Sequence, residues 1–274
     1  MKKLLTLVVA LLLACIGCVA MTACSKPTTY KDLQIVEVGG ETESFGIAFR
    51  KGSNVTRKVE NAIAELISEG KLAPLATKYG VAGVSSYTPA AAENDSSTDW
   101  ATISAKGTLV VGITDYKPMD YKEDGSDTWI GFDADLARLV GEKLGVTIVF
   151  SEIEWDNKLL DLSAGRIDCI WNGMTITNEV LAAADCTVPY MENRQVGVIL
   201  KKNASKYTDV NSMAGVKIVA EAGSAGESFI KANSSLVGGL VSVTAQSDAF
   251  LEVMSGKSEV AIVDYMMAKA LIEG

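Results

Sequence analysis

Residues 107–145 read GTLVVGITDYKPMDYKEDGSDTWIGFDADLARLVGEKLG, and this stretch decides the fold class. The continuous apolar run at 108–114 is typical of a strand that is buried on both faces of a sheet. In the segment 131–145, apolar residues recur every three or four positions, which predicts an amphipathic helix. Asp133 is a candidate cap for this helix, and Gly145 is a candidate stop.

The same alternation of strand and helix continues on both sides of this unit. Further helices are predicted after Ser53, from Trp155 and after Ser247. Strand-like runs occupy residues 33–38, 45–51, 146–150, 167–171, 195–202, 216–220, 241–245 and 259–264. Repeated strand–helix units predict parallel sheets that are covered by helices on both faces, which is the α/β class.

Composition narrows the possible functions. The chain has 274 residues, enough for two compact units, and a net charge of −9. An acidic surface disfavours nucleic acid, because binding to phosphates needs basic contacts. The sequence contains no histidine, so the commonest general base and metal ligand is missing. We therefore expect no metal, no cofactor and no nucleic-acid partner.

The N-terminal segment has the pattern of an export signal. Lys2 and Lys3 precede a long apolar run and small residues, which predicts a signal peptide over residues 1–23. The sequence MTAC resembles a bacterial lipobox, with Cys24 as the lipidated first residue of the mature chain and 24–29 as a tether. We expect an extracytoplasmic protein anchored by acyl chains, in the periplasm or on the outer face of a Gram-positive membrane. An ordinary signal or an uncleaved anchor helix is the alternative.

Two cysteines remain beyond the N-terminal segment. Export would permit a disulfide between Cys169 and Cys186. Cys169 lies within an apolar strand, where a buried free thiol is the commoner state. We therefore favour two free thiols.

Polar residues follow four of the predicted strands. In α/β sheets, ligands bind beyond the carboxyl ends of the strands. Asp115 and Tyr116 stand at one such end, NGMTIT (172–177) and EAGSAGES (221–228) at two others, and Asp264 at the fourth. Two of these ends lead into predicted helices, whose first backbone N–H groups can bind anions. Each feature has an ordinary structural explanation as a turn, a cap or a packing residue, but four together favour a binding site.

These segments resemble the extracytoplasmic solute-binding proteins of polar amino-acid ABC importers, family 3, which have the type II periplasmic fold. Residues 107–145 match the opening strand, ligand loop and first helix of that family. LSAGRIDCIWNGMTITNE (162–179) matches its central signature. VKIVAEAGSAGES (216–228) and SGKSEVAIVDY (255–265) match its second lobe. The resemblance implies a binding protein that delivers a small polar solute, most often an amino acid, to an ABC permease.

The order of the segments departs from the family. Residues 44–80 resemble the segment that normally closes the chain, and 28–38 would normally follow 263–274. The resemblance therefore implies a circular permutation. Chain termini of domains are often close together, so such a rearrangement can keep the fold. A misassembled or truncated reading frame is the alternative.

The resemblance implies two lobes joined by two crossing hinge strands. Lobe 1 is expected over residues 44–86 and 100–193, and lobe 2 over residues 30–43 and 194–274. Residues 87–99 are expected to link the usual ends of the family. The ligand is expected in the cleft, with the lobes closing around it by a hinge motion. We expect the protein to be a monomer.

The resemblance also implies roles for eight residues of the cleft. Tyr116 and Trp155 are expected to form aromatic walls. The α-amino and α-carboxylate groups of the ligand are expected to contact Asn172, Gly173 and Thr175. The carboxylate is also expected to accept hydrogen bonds from Ser224 and Ala225, and the α-ammonium to pair with Asp264. One position departs from the family motif, in which an arginine grips the carboxylate. Val180 stands there, so the identity of the ligand is left open.

Two other classes of function remain possible. Some relatives of this fold are prephenate- or arogenate-type dehydratases, which need a placed general acid. The sequence offers no histidine and no evident carboxylate pair for that role. Val180 keeps open a sensor or surface protein of the same fold with a degenerate site.

Overall fold

The computed structural model describes residues 28–84, 86–94 and 96–274. The predicted signal peptide, the predicted lipidation site Cys24 and most of the predicted tether lie outside the described residues. Within the described ranges, no helix combines the length and the apolar character that crossing a bilayer requires.

Alternating strands and helices make up the described chain. The strands are β1 Leu33–Glu37, β2 Glu43–Arg50, β3 Thr108–Ile113, β4 Thr147–Glu152, β5 Cys169–Thr175, β6 Ala184–Cys186, β7 Met191–Asn193, β8 Gln195–Leu200, β9 Ile218–Glu221, β10 Leu240–Val243 and β11 Val260–Asp264. The helices are α1 Val55–Ser68, α2 Leu72–Tyr79, α3 Asp99–Lys106, α4 Phe132–Leu144, α5 Lys158–Ser163, α6 Asn178–Ala183, α7 Ala225–Ala232, α8 Gln246–Ser255 and α9 Tyr265–Ile272.

The strands form two sheets. In the large sheet the order is β4-β3-β5-β2-β6, and β7 also pairs with β2. In the small sheet the order is β1-β8-β11-β9-β10. The fold is therefore α/β with two sheets, as expected from the sequence.

The prediction of purely parallel sheets is wrong. Strands β3, β4 and β5 run parallel to one another, but β2 runs antiparallel to β5, β6 and β7. In the small sheet, β8 runs antiparallel to β1 and β11, whereas β9 runs parallel to β10 and β11. Strands β2 and β8 are the first strands after the two crossings. Each therefore enters its sheet from the end opposite to that at which the parallel strands start.

Within the described residues, the chain passes from one sheet to the other at two adjacent places. Residues 38–42 connect β1 of the small sheet to β2 of the large sheet, and Arg194 connects β7 to β8. The Arg194 guanidinium donates to both carboxylate oxygens of Glu37, at 3.1 and 2.7 Å, and lies 3.6 Å from the ring centre of Tyr265. These contacts tie the two crossings together.

Helices pack against each sheet and bury its apolar side chains. Phe45 and Phe49 of β2, Trp171 of β5 and Phe132 of α4 are almost fully buried in one core, against which α1 packs its apolar stripe. Residues 45–80 therefore belong to the same packed unit as the strand at 108–113. This arrangement places the carboxyl ends of β3 and β5 opposite those of β9 and β11.

Three helices start at residues other than those predicted. The helix predicted to be capped by Asp133 begins at Phe132, so Asp133 lies inside its first turn and is buried. The helices predicted after Ser53 and Ser247 have Asn54 and Ala245 at their N-cap positions. Sequence spacing located these helices, but a shift of one or two residues in each start changed the role of the polar side chain.

The segment expected to link the usual ends of the family lies against α1. The buried Glu60 carboxylate accepts hydrogen bonds from the backbone N–H groups of Ala90, Ala91 and Val188, at 2.7–2.8 Å. The Arg57 guanidinium donates to the carbonyl of Ala91 at 3.2 Å. These bonds hold residues 87–94 of this segment in a defined path, in which they form no helix or strand.

Candidate functional site

A cleft lies between the large sheet and the small sheet, at the carboxyl ends of β3, β5, β9 and β11. It contains all eight residues expected at the ligand site and also Val180. The remaining cavity has a volume of about 40 Å³, which is room for a few water molecules. Its lining includes Thr114, Tyr116, Trp155, Lys158, Asn172, Gly173, Thr175, Glu179, Val180, Glu221, Gly223, Ser224, Ala225, Gln246 and Asp264.

Local contacts fix the positions of Asn172 and Gly173, which lie in the part of β5 that approaches the cleft. The Asn172 side chain accepts a hydrogen bond from the Thr114 backbone N–H and donates to the Thr114 hydroxyl at 3.1 Å. Gly173 has a φ of 54°, and a Cβ there would lie 2.4 Å from the Tyr116 ring. Only glycine accommodates both conditions, which explains why the backbone approaches the aromatic wall at this position.

Asp133 supports this part of the cleft from behind. Its carboxylate accepts hydrogen bonds from the Gly173 N–H at 2.7 Å and from the Tyr190 hydroxyl at 2.8 Å. Burial raises the pKa of Asp133 to about 7, although the bonds from Tyr190 and Gly173 oppose the rise. The sequence predicted this residue as a helix cap, and its supporting role was missed.

Two hydroxyl residues of the cleft cap short helices. Thr177 caps α6, since its hydroxyl accepts from the Val180 N–H at 3.2 Å. Ser224 caps α7 by accepting from the Glu227 N–H at 3.1 Å. The Thr175 hydroxyl donates to Glu43 at 3.2 Å. The Ser224 hydroxyl keeps its own proton for a further acceptor.

Asp264 lies at the centre of a buried network of amides. Its carboxylate accepts from the side chains of Asn193, Gln195 at 2.9 Å and Gln246 at 2.7 Å, and its backbone N–H donates to Gln246 at 2.7 Å. Burial raises the pKa of Asp264 to about 7, and the nearby Glu43 raises it further, whereas the three amides lower it. The amides orient the carboxylate as an acceptor without neutralising its charge.

Glu221 is a second acid of the cleft, and the site prediction missed it. It ends β9, is 4% exposed, and its Oε1 has no hydrogen-bond partner among the described residues. Burial raises the pKa of Glu221 to about 8, with a further rise from Asp264 and an opposing effect of Lys158. Folding brings Glu221 and Asp264 to the lining of one cavity, although the sequence offered no evident carboxylate pair. An acid at the end of a buried strand was the available signal.

Lys158 is a third charged group that the site prediction missed. Its ammonium donates to the carbonyl of Trp155 at 3.2 Å and, across the cleft, to the carbonyl of Gly223 at 2.8 Å. The residue is 8% exposed. Burial lowers the pKa of Lys158, while Glu179 and Glu221 oppose this change. In sequence, a lysine in the first turn of a helix is most often a solvated residue.

The two cysteines are free thiols, as favoured from the sequence. Cys169 is fully buried in β5, and Cys186 ends β6. Within the described parts of the chain, no group of three or more acidic or cysteine side chains is arranged to hold a metal ion.

Two sheets with a charged cleft between them, joined by two crossings, define a type II periplasmic-binding-protein fold. The arginine-bound form of truncated ArgBP from T. maritima has this fold, and it matches with a TM-score of 0.60 and 26% identity over 63% of this chain and 81% of that one. The chain belongs to the bacterial extracellular solute-binding proteins, family 3, whose profile matches residues 109–266.

Curated relatives match over a shorter length. A probable histidine-binding protein of Campylobacter jejuni is 30% identical over 145 residues, which are 52% of this chain and 54% of that protein. A cyclohexadienyl dehydratase of Pseudomonas aeruginosa is 28% identical over 144 residues, which are 51% of this chain and 52% of that protein. The chain thus spans about half the length of these relatives.

Proposed function

We propose that this protein captures a small ammonium-bearing solute, an amino acid or a related amine, outside the cytoplasm and delivers it to an ABC permease. The observation that carries the proposal is the buried, amide-oriented carboxylate of Asp264 at the base of the cleft. A bound cation stabilises the ionised form of a buried carboxylate with a raised pKa, because the cation offsets the free-energy cost of burying the charge.

The rest of the cleft suits such a solute. Tyr116 and Trp155 provide apolar faces, while the Tyr116 hydroxyl and one oxygen of Glu221 are buried without partners among the described residues. Sites for small molecules combine apolar walls with a few placed polar groups in this way. The names of the matched relatives, a probable histidine-binding protein and an arginine-bound ArgBP, agree with a ligand of this class.

Binding requires the cleft to open. Residues of both sheets line the cavity, so we propose that the two sides separate about the crossings at residues 38–42 and Arg194 to admit the solute. Hinge closure around a ligand is a known motion of periplasmic binding proteins. The closed cleft is the form that we propose the permease recognises. We further propose a lipid anchor on Cys24 and a monomeric state.

The test is the identity of the solute that the purified chain retains. Mass spectrometry after denaturation is expected to release an amino acid or amine, and titration calorimetry is expected to show it binding again. Asp264→Asn should abolish this binding, whereas the matched surface change Asp124→Asn should not. Unaltered binding by Asp264→Asn, or a protein that retains no ammonium-bearing solute, would reject the proposal.

A dehydratase is the second candidate, and the pairing of Glu221 with Asp264 is the observation that favours it. Carboxyl groups whose pKa values lie near neutrality can act as general acids. The match to a cyclohexadienyl dehydratase is consistent with this chemistry. The same mass-spectrometric experiment decides between the two, since an enzyme converts the added compound during incubation and a binding protein returns it unchanged.

We also propose that the chain is circularly permuted relative to its family. Two observations support this: β2 lies inside the large sheet beside β5, and α9 lies against the turn Tyr30–Asp32, near the start of the described chain. A rearranged chain in which residues 100–274 precede residues 28–86 should fold and bind the same solute. Failure of that chain to fold would count against the permutation.

A further inference from the structure

Resting on the proposed function, the further inference concerns the negative group of the ligand. The family motif places an arginine for the ligand carboxylate where this chain has Val180. Val180 is 3% exposed and packs in the same apolar cluster as Trp155. A valine offers no hydrogen bond, so another group of the cleft must meet a carboxylate if the ligand has one.

Lys158 is the cationic side chain of this cleft. It lines the same cavity as Val180, and its ammonium lies 4.8 Å from the ring centre of Trp155. The ammonium therefore lies against an aromatic ring whose apolar cluster includes Val180. In the described residues, the hydrogen bonds of this ammonium go to two backbone carbonyls, and no carboxylate is paired with it.

A buried ammonium without a carboxylate partner is costly, and buried charges are normally paired. A lysine ammonium has three N–H donors. The carbonyls of Trp155 and Gly223 take two of them, so one donor is left for another acceptor. Gly223 immediately precedes Ser224, the cap residue of α7, and both Lys158 and Ser224 line the cavity.

The cleft holds charges of both signs. Asp264 and Glu221 supply carboxylates from the small sheet, and Lys158 supplies an ammonium from α5, near enough to Glu179 and Glu221 for their charges to oppose the fall in its pKa. A zwitterion matches both signs of charge, whereas an amine without a carboxylate matches only the carboxylates.

We propose that Lys158 is the carboxylate anchor of this site and replaces the arginine that the family motif has at the position of Val180. The ligand class is then an α-amino acid rather than a simple amine. Because Lys158 also donates to Gly223 across the cleft, one ammonium serves both the bound carboxylate and the opposite side of the cleft. Lys158 thereby links recognition of the carboxylate to closure.

The experiment measures dissociation constants of the full chain for the standard amino acids and for the amines that correspond to them without the carboxylate. In Lys158→Met, the affinity for the amino acid should fall about 10- to 150-fold, the worth of a hydrogen bond to a charged group. Affinity for the matching amine should stay within about twofold or rise, because a nearby positive charge has been removed. The ratio of the two constants is measured on one sample, so it does not depend on the folded fraction.

Two further variants complete the test. Lys257→Met, which removes a surface lysine paired with Glu252, should keep the wild-type ratio. The double variant Lys158→Met/Val180→Arg should recover the preference for the amino acid, since an arginine at position 180 can supply the missing charge.

The outcomes separate the two proposals. If the wild-type chain binds amino acids and Lys158→Met binds them equally well, the carboxylate anchor is wrong while the proposed function stands. An unrecovered double variant would overturn the equivalence of the two positions. If the wild-type chain binds only amines, the anchor is wrong and the amine form of the proposed function remains. If it binds neither class, the proposed function fails, and the anchor fails with it.

Discussion

Affinity for an ammonium-bearing solute should fall as the pH is lowered from about 8 to about 6. Asp264 is the group that decides this dependence. Its carboxylate accepts hydrogen bonds from the amides of Asn193, Gln195 and Gln246, and burial together with Glu43 raises its pKa to about 7. A bound ammonium stabilises the ionised carboxylate. Binding therefore competes with protonation of Asp264.

The magnitude follows from one-proton linkage. For a pKa of about 7 in the empty protein, Asp264 is mostly ionised at about pH 8 and only about one tenth ionised at about pH 6. The apparent dissociation constant should therefore rise about tenfold over this range. Glu221, whose pKa burial raises to about 8, adds to the dependence in the same direction.

The assay is titration calorimetry with the solute that the protein retains, carried out in two buffers of different ionisation enthalpy at each pH. The difference between the buffers gives the number of protons released on binding. We expect a release of about half a proton from Asp264 at about pH 7, rising towards one at about pH 6. The solute must keep its ammonium protonated throughout this range.

A dissociation constant that does not change between about pH 8 and pH 6, with no proton release, would refute this reasoning. In that case Asp264 would be ionised throughout, and its amide partners would outweigh its burial. A Glu221→Gln variant separates the two acids: if the tenfold dependence disappears in this variant, Glu221 rather than Asp264 is the titrating group.

Three further predictions concern stability and reactivity. In the ligand-free protein, Asp264 and Glu221 have raised pKa values when folded, so the folded state holds more protons than the unfolded state between about pH 4 and about pH 8, and the stability that they contribute should fall progressively as the pH rises over this range; urea unfolding at pH values across the range measures the sign, and a contribution that grows with pH would contradict it. Glu60→Gln should lower the free energy of unfolding by about 1–3 kcal/mol, because one of the three backbone donors that Glu60 serves would face an amide NH₂, while the exposed Glu93→Gln should change it little. Cys169 is fully buried and the pKa of Cys186 is raised by burial to about 11, so neither thiol should react readily with a thiol reagent at neutral pH in the native protein, and peptide mapping without reductant should find no bond between them.

The sequence by itself determined the element types and the edge at which the site lies. Apolar periodicity separated strands such as the one at 108–113 from helices such as α4, because burial on two faces and burial on one stripe leave different patterns. The carboxyl ends of parallel strands meet at one edge, so the polar ends at Asn172, Ser224 and Asp264 could be assigned to one place before any coordinates.

Only the tertiary structure decided which charges act at that place. The pKa values of Lys158 and Glu221 depend partly on groups from the opposite side of the cleft. No local spacing in the sequence predicts that these groups will lie close together. The same holds for Asp133, whose shift of two residues into α4 turned an expected cap into a buried support for Gly173. Local sequence fixes backbone conformation through steric and periodic rules, whereas the burial of a charge depends on the whole chain that surrounds it.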